Sequence, residues 1–136
     1  MYLDSLGNVI ENKSILGAHA VGVPGSIAGI FEVYQKFGTL PFKDLIQPSI
    51  DLARNGYTIT KNEAEDLNGA TEKFKKANNY ETDFGKSWKE GDVFKQEELA
   101  KTLERIRDFG KDGFYKGRLV KDLRKVEKEE AEDISA

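Results

Sequence analysis

The sequence predicts a mainly α-helical fold of about five helices, preceded by a short extended segment at the N-terminus. Three observations indicate it. Apolar residues between residues 26 and 120 recur at the spacing that places them on single helical faces. Glycine or proline bounds most of these stretches. The chain is 38% hydrophobic and 33% charged, a balance typical of helices that leave much of their surface exposed.

The first 25 residues are predicted to be extended. Leu6-Gly7-Asn8 is a turn signal, and the flanking pairs Tyr2-Leu3 and Val9-Ile10 suit short strands. Pro24-Gly25 ends the segment. Small apolar residues before that point favour a buried strand, namely Ala18, Ala20, Val21 and Val23.

The first helix is predicted over residues 26–37. Ser26 is the expected N-cap, because a serine side chain can accept a hydrogen bond from a free amide at the helix start. Gly38 is the expected C-terminal stop. The apolar face of this helix consists of Ile27, Ile30, Phe31 and Tyr34.

The second helix is predicted to open at Pro41 and to close at Asn55-Gly56. Pro48 stands inside it. Since proline has no N–H to donate to the Asp44 carbonyl, we expect the helix to kink or to restart there. Its apolar positions are Phe42, Leu45, Ile46, Ile50, Leu52 and Ala53.

The third helix is predicted from residue 61 to residue 77, because Thr60 and Glu63 have the spacing of a capping box. Its apolar stripe is narrow and consists of Ala64, Leu67, Ala70 and Phe74. Residues 78–94 are predicted to be a loop, with an extended piece near Ser87-Trp88. Trp88 is expected to pack against a partner surface.

A fourth helix is predicted over residues 96–108 and is ended by Gly110. Lys111-Asp112-Gly113 is predicted to be a turn, and residues 114–117 lead into the last helix. The apolar positions of that last helix are Leu119, Val120, Leu123 and Val126.

We therefore expect a single helical region over residues 1–136. It divides into the extended segment 1–25, a helical part 26–120 and a charged helical tail 121–136.

Composition excludes several classes of protein. The net charge of -3, with acidic and basic residues interleaved, gives no electrostatic footprint for nucleic acid. Cysteine is absent, so disulfides and thiolate chemistry are excluded. No apolar run reaches about eighteen residues, so we expect no membrane span. The N-terminus lacks the basic start and apolar stretch of a signal peptide.

Nucleophilic catalysis has little support in the sequence. His19 is the only histidine and lies between two alanines of the apolar strand. A hydroxyl nucleophile needs an adjacent base that is itself oriented by an acid. A hydrogen-bonded structural histidine is therefore the favoured interpretation of His19.

Metal and phosphate sites are also poorly supported. Glu63, Glu65 and Asp66 are close in sequence, but successive helix positions point in different directions. Residues 22–26 precede a helix, yet they lack the lysine and the glycine spacing of a phosphate loop, and Pro24 removes a donor. We assign no catalytic, cofactor-binding or metal-ligating residue to this chain, and we expect no cofactor.

Four blocks of sequence resemble, in the same order, segments of the γ-glutamyltransferase (glutathione hydrolase) family. The first is Ala-Val-Gly-Val-Pro-Gly-Ser-Ile-Ala-Gly at residues 20–29. The others are the leucine-proline-aromatic block at 34–42, the proline-centred helix at 45–57 and the glycine-bounded stretch at 91–117. The resemblance spans about residues 17–120. It implies an internal fragment of the family's large subunit.

The resemblance implies an N-terminal-nucleophile hydrolase with an αββα core. In this family a precursor cleaves itself, and the exposed threonine attacks a γ-glutamyl carbonyl with its own amino group as base. The γ-glutamyl group then passes to water or to an amino acid or peptide acceptor. The chain lacks the threonine-threonine-histidine motif, since Ile59 separates Thr58 from Thr60. No catalytic residue is carried over, and the fragment alone is expected to be inactive.

The resemblance also implies partners. They are γ-glutamyl substrates such as glutathione, the small subunit and the rest of the large subunit, against which residues 16–24 would join the core. A periplasmic or secreted parent is implied, with its signal peptide outside this chain. Apolar faces left without these partners would favour self-association. The alternatives are an independent helical protein-interaction module without catalysis and a degenerate family member with a non-catalytic role.

Overall fold

The computed structural model describes residues 2–15, 20–22, 24–77 and 82–116. The helices within these ranges are α1 (Ser26–Phe37), α2 (Phe42–Asn55), α3 (Lys61–Ala77), the 3₁₀-helix Asp83–Gly85, α4 (Glu97–Phe109) and α5 (Lys111–Tyr115). A two-residue strand, β1 (Tyr57–Thr58), pairs antiparallel with β2 (Val93–Phe94). The mainly α-helical fold predicted from the sequence is confirmed.

The N-terminal turn forms where it was predicted. Leu3 and Val9 make one antiparallel bridge, and Gly7 between them has a φ of 84°. The Asp4 carboxylate closes the turn by accepting bonds from the Leu6 and Asn8 amides, each at 2.9 Å. These bonds hold the pKa of Asp4 below its usual range, the Asn8 amide contributing most.

The buried strand predicted before Pro24 is wrong at Val21, whose side chain is 59% exposed. Ala18, His19 and Val23 lie outside the described residues.

Helix α1 starts one position earlier than a capping serine would require. Gly25 is the N-cap and Ser26 is already helical, so the predicted Ser26 cap is wrong. No side chain of the flanking residues caps this end. Gly38 does end the helix, but with an extended backbone. Only glycine fits at position 38, because a Cβ there would overlap the Tyr34 ring.

Helix α2 runs without interruption through Pro48, so the predicted restart is wrong. Proline removes one backbone bond, but the packing of α2 on α4 keeps the helix continuous. Ile50 is 1% exposed and Ala53 is buried beside it. On the α4 side of the interface, Ala100 is fully buried.

The sequence did not predict a short β-ribbon, which packs with α3 in a hydrophobic cluster. Tyr57 pairs with Phe94 and Thr58 with Val93, and the adjoining Ile59 is 1% exposed. Helix α3 packs against this ribbon and against the 3₁₀-helix. The resulting cluster contains Ile59, Ala64, Phe94, Leu67, Phe84 and Trp88.

Trp88 is half-buried and packs against this cluster, and its contact with a partner surface stays a prediction. Its ring lies 5.0 Å from that of Phe94, and its indole N–H donates to the Asp83 carbonyl at 3.1 Å. Asn68 of α3 bonds both the amide and the carbonyl of Trp88, each at 2.8 Å. The Asn68 side chain therefore satisfies the loop backbone at Trp88, as a neighbouring strand would.

The segment predicted as a turn at residues 111–113 is instead the start of α5. Gly110, with a φ of 61°, reverses the chain after α4, and Gly113 is buried against the Arg105 backbone. The close approach allowed by Gly113 lets a five-residue helix pack on α4. The last predicted helix and the charged tail lie outside the described residues.

The capping box at the start of α3 is confirmed and gives a pH-dependent prediction. The Thr60 amide and then its hydroxyl donate to the Glu63 carboxylate at 2.7 and 2.8 Å, which lowers the Glu63 pKa. Because the pKa of Glu63 is lower in the folded chain than in the unfolded chain, its carboxylate stabilises the fold at pH values above the ordinary glutamate pKa of about 4.3. This stabilisation is lost as the pH falls through the lowered pKa. Urea unfolding should therefore show a stability gap between wild type and Glu63→Gln that closes on acidification. A gap independent of pH would contradict this.

Candidate functional site

The candidate metal and catalytic residues from the sequence do not come together among the described residues. No group of three or more His, Asp or Glu side chains within the described ranges is placed to hold a metal ion. The Glu63 carboxylate is engaged by its own helix cap, and Glu65 pairs with Lys61 at 3.8 Å. The candidate histidine, His19, lies outside these ranges.

An apolar groove of about 750 Å³ lies between α1, α2 and α4. One wall is the face of α1 that carries Ile27, Ile30, Phe31, Val33, Tyr34 and Phe37. The opposite wall comes from α2 and α4 and includes Phe42, Leu45, Ile46, Leu103 and Ile106.

Aromatic rings and one isoleucine form the inner part of this groove. The Phe42 ring lies 4.5 Å from that of Phe31 and 5.2 Å from that of Tyr34, and Ile106 is 2% exposed. The Tyr34 hydroxyl is directed outward, where it donates to the Leu40 carbonyl at 2.9 Å. This inner part is therefore preformed by the chain's own packing.

The outer rim of the groove is exposed in this chain. Phe37 is 75% exposed, Val33 61% and Ile30 51%. No residue of α1 is fully buried, although the helix is mostly apolar. A face with several exposed large apolar side chains is typical of an interaction surface.

The groove lining contains no Asp, Glu, Lys, Arg or His among the residues that the structure describes. Ser49 and Tyr34 are its polar side chains. Acid–base chemistry needs a titratable group within hydrogen-bond reach of the reacting atoms. The groove can therefore bury an apolar surface, but its own side chains do not provide a catalytic base.

The charged residues nearby connect α2 to α4. Arg54 bonds Glu104 at 2.8 Å, and Arg107 donates to Gln47 at 2.9 Å while it also pairs with Asp108. The Arg107 bond holds the pKa of Asp108 below its usual range. The Arg54–Glu104 and Arg107–Gln47 bonds join the two helices, whereas Arg107 and Asp108 both belong to α4.

The end of α1 opposite Phe37 is held from a distant part of the chain. The Tyr115 hydroxyl donates to the Pro24 carbonyl at 2.6 Å and accepts from the Ala28 amide at 3.1 Å. Sequence reasoning placed Tyr115 only in a connecting segment. No local signal indicates a contact that spans about ninety positions.

The sequence identified part of the groove. Ile27, Ile30, Phe31 and Tyr34 were predicted to share one face, and they line the same wall. Val33 and Phe37 were missed as members of that wall. The opposite wall depends on how α1 crosses the other two helices, which periodicity within one helix does not specify.

Within the described part of the chain, no helix is both long enough and apolar enough to cross a membrane.

Comparisons with known proteins agree on one family. The family model described as Gamma-glutamyltranspeptidase matches residues 1–134. The glutathione hydrolase proenzyme of Pseudomonas aeruginosa is 44% identical over 117 residues, and that of Bacillus subtilis is 40% identical over 126. These alignments cover 86% and 90% of this chain but 21% and 22% of the relatives. The chain thus spans about a fifth of the length of these relatives.

Solved structures show the same relationship. The Helicobacter pylori gamma-glutamyltranspeptidase matches with a TM-score of 0.82 at 40% identity, over 92% of this chain and 37% of that one. The Pseudomonas nitroreducens enzyme, solved with L-DON, matches at 0.79 with 46% identity, over 90% and 36% of the two chains. These neighbours are N-terminal-nucleophile hydrolases. Sequence and fold together show that this chain belongs to the gamma-glutamyltranspeptidase family.

Proposed function

We propose that this chain is part of a γ-glutamyl-transferring enzyme. The enzyme cleaves glutathione and other γ-glutamyl compounds and transfers the γ-glutamyl group to water or to an amino acid or peptide acceptor. Family membership and relatives named glutathione hydrolase support the proposal.

The reaction divides into two acyl-transfer steps. A threonine hydroxyl, with its own α-amino group as base, attacks the γ-glutamyl carbonyl, and the amine of the donor leaves with the proton. The γ-glutamyl ester then passes to water or to an acceptor amine, which restores the hydroxyl. The chain contains no threonine-threonine-histidine motif, so the nucleophile belongs to another part of the enzyme.

This chain supplies a scaffold in that scheme. The observation that carries this role is the apolar groove with an exposed rim and no ionisable lining residue other than a tyrosine. Its occupants in the parent are the rest of the large subunit and the small subunit. Helices α1 to α5 lie beside the catalytic core of the parent, and the parent is periplasmic or secreted.

A hybrid enzyme tests the proposal. Residues 20–116 replace the aligned stretch of the Pseudomonas aeruginosa proenzyme, which is 44% identical to this chain. We expect the hybrid to mature into two subunits and to hydrolyse a γ-glutamyl anilide within about tenfold of the unmodified rate. The 136-residue chain alone should show no turnover. A correctly folded hybrid that fails to mature, or turnover by the chain alone, would contradict the proposal.

Two matched variants test the role of the groove. Ile30→Asp places a carboxylate on the exposed rim and should reduce the yield of mature hybrid, since burying an unpaired charge is unfavourable. Gln35→Asp introduces the same side chain at an exposed position of α1 that does not line the groove. Equal yields from both variants would contradict a covered groove.

A further inference from the structure

The start of α1 lacks the usual local cap. The first amides of a helix have no carbonyl partner within the helix, and a side chain at the N-cap normally satisfies one of them. Here the N-cap is Gly25, which has no side chain, and the first bond within the helix runs from the Gly29 amide to the Gly25 carbonyl at 3.0 Å. Ala28, one position earlier, must find its acceptor elsewhere.

The acceptor comes from α5. The Tyr115 hydroxyl oxygen accepts from the Ala28 amide at 3.1 Å, while its hydrogen is donated to the Pro24 carbonyl at 2.6 Å. One hydroxyl therefore satisfies a free amide inside the helix and a free carbonyl before it. A local serine or threonine cap would fix the helix start but would not fix where that start lies relative to α5.

Two further contacts seat α1 on the hairpin formed by α4 and α5. The Phe31 ring packs over Gly110, where a Cβ would lie 3.7 Å from it. Lys111 approaches the Glu32 carboxylate at 3.9 Å. The hairpin itself is tight, because Gly113 packs directly on the Arg105 backbone. Tyr115 thus stands on a closely packed support.

We propose that Tyr115 is a positioning residue that sets the direction of the Pro24–Gly25 turn relative to the α4–α5 hairpin. This rests on the proposed function: in the parent enzyme, that turn connects the core of the hydrolase to α1. The hydroxyl binds the Pro24 carbonyl within the turn and the Ala28 amide in the first turn of α1. The turn and α1, which forms one wall of the groove, are therefore both held to α5.

Hydrogen exchange in the full 136-residue chain tests the bonding. Tyr115→Phe removes the hydroxyl and keeps the ring that packs 5.0 Å from Phe114. The Ala28 amide should exchange about five- to tenfold faster, which corresponds to the loss of one ordinary hydrogen bond. The amide of Val33, deeper in the same helix, should be much less affected.

Tyr34→Phe is the matched control. It also removes a tyrosine hydroxyl from an α1 contact, the bond to the Leu40 carbonyl near the other end of the helix. It should leave Ala28 exchange unchanged. Unchanged Ala28 exchange in Tyr115→Phe, or equal acceleration in both variants, would overturn the proposal.

The hybrid enzyme separates this inference from the proposed function. If the wild-type hybrid is active, Tyr115→Phe should lower kcat several-fold while KM changes little, because the residue is not expected to touch substrate. Equal kcat values would overturn the positioning role. If the wild-type hybrid is inactive while Ala28 exchange still accelerates in the chain, the proposed function fails and the capping contact stands.

Discussion

Replacing Gly113 with alanine is expected to destabilise the chain strongly. A Cβ there would overlap the Arg105 carbonyl oxygen and lie 2.5 Å from the carbonyl carbon and 3.1 Å from the Ile106 amide nitrogen. These atoms belong to the α4 backbone and move only with the helix. Overpacking of a tight interface costs about 1–3 kcal/mol, and we expect the upper part of that range or more.

Urea unfolding followed by circular dichroism measures this effect. Gly69→Ala is the control, because Gly69 lies within α3 and a Cβ there meets nothing within 4 Å. That substitution should stabilise by about 0.5–1 kcal/mol, since alanine is the better helix former. Similar midpoints for the two variants would show that the α4–α5 contact tolerates a methyl group.

The second large effect is expected for Ile106→Ala. Ile106 is 2% exposed and lies where α4 meets the floor of the groove. Truncating a buried isoleucine to alanine costs about 2–5 kcal/mol, because transfer free energy is lost and a cavity remains. The same unfolding measurement should show a lower midpoint with an unchanged dependence on urea.

Ile30→Ala provides the comparison. Ile30 is 51% exposed, so in this chain the same truncation should change stability by about 0.5 kcal/mol or less. In the hybrid enzyme, where we propose that the groove is covered, the same variant should cost more. An Ile106→Ala variant as stable as Ile30→Ala would mean that α4 does not hold the groove floor.

Local signals in the sequence predicted most helix boundaries. The Thr60–Glu63 box, Gly56 and Gly110 each impose a backbone requirement that a single short segment reveals. The sequence also placed four residues of α1 on the groove wall. The family resemblance came from four blocks in order, and it gave the assignment that physical patterns alone did not reach.

Several differences from the sequence predictions arise from packing between distant segments. Helix α2 continues through Pro48 because α4 supports it, and α5 forms because Gly113 lets it approach Arg105. Trp88 in the loop is bonded by Asn68 of α3 and packs on Phe94 of β2. Tyr115 contacts Pro24, which is 91 positions away. The spacing of residues within a single segment indicates none of these contacts.

The nature of the groove lining also determines how an occupant would be held. With no carboxylate, ammonium or guanidinium among its described lining residues, adding salt should have little effect on the affinity. Its rings and branched aliphatic side chains would instead give a negative heat-capacity change on association. The contact should therefore weaken on cooling rather than on raising the ionic strength. An assembly formed through this surface should therefore dissociate at low temperature and persist in concentrated salt.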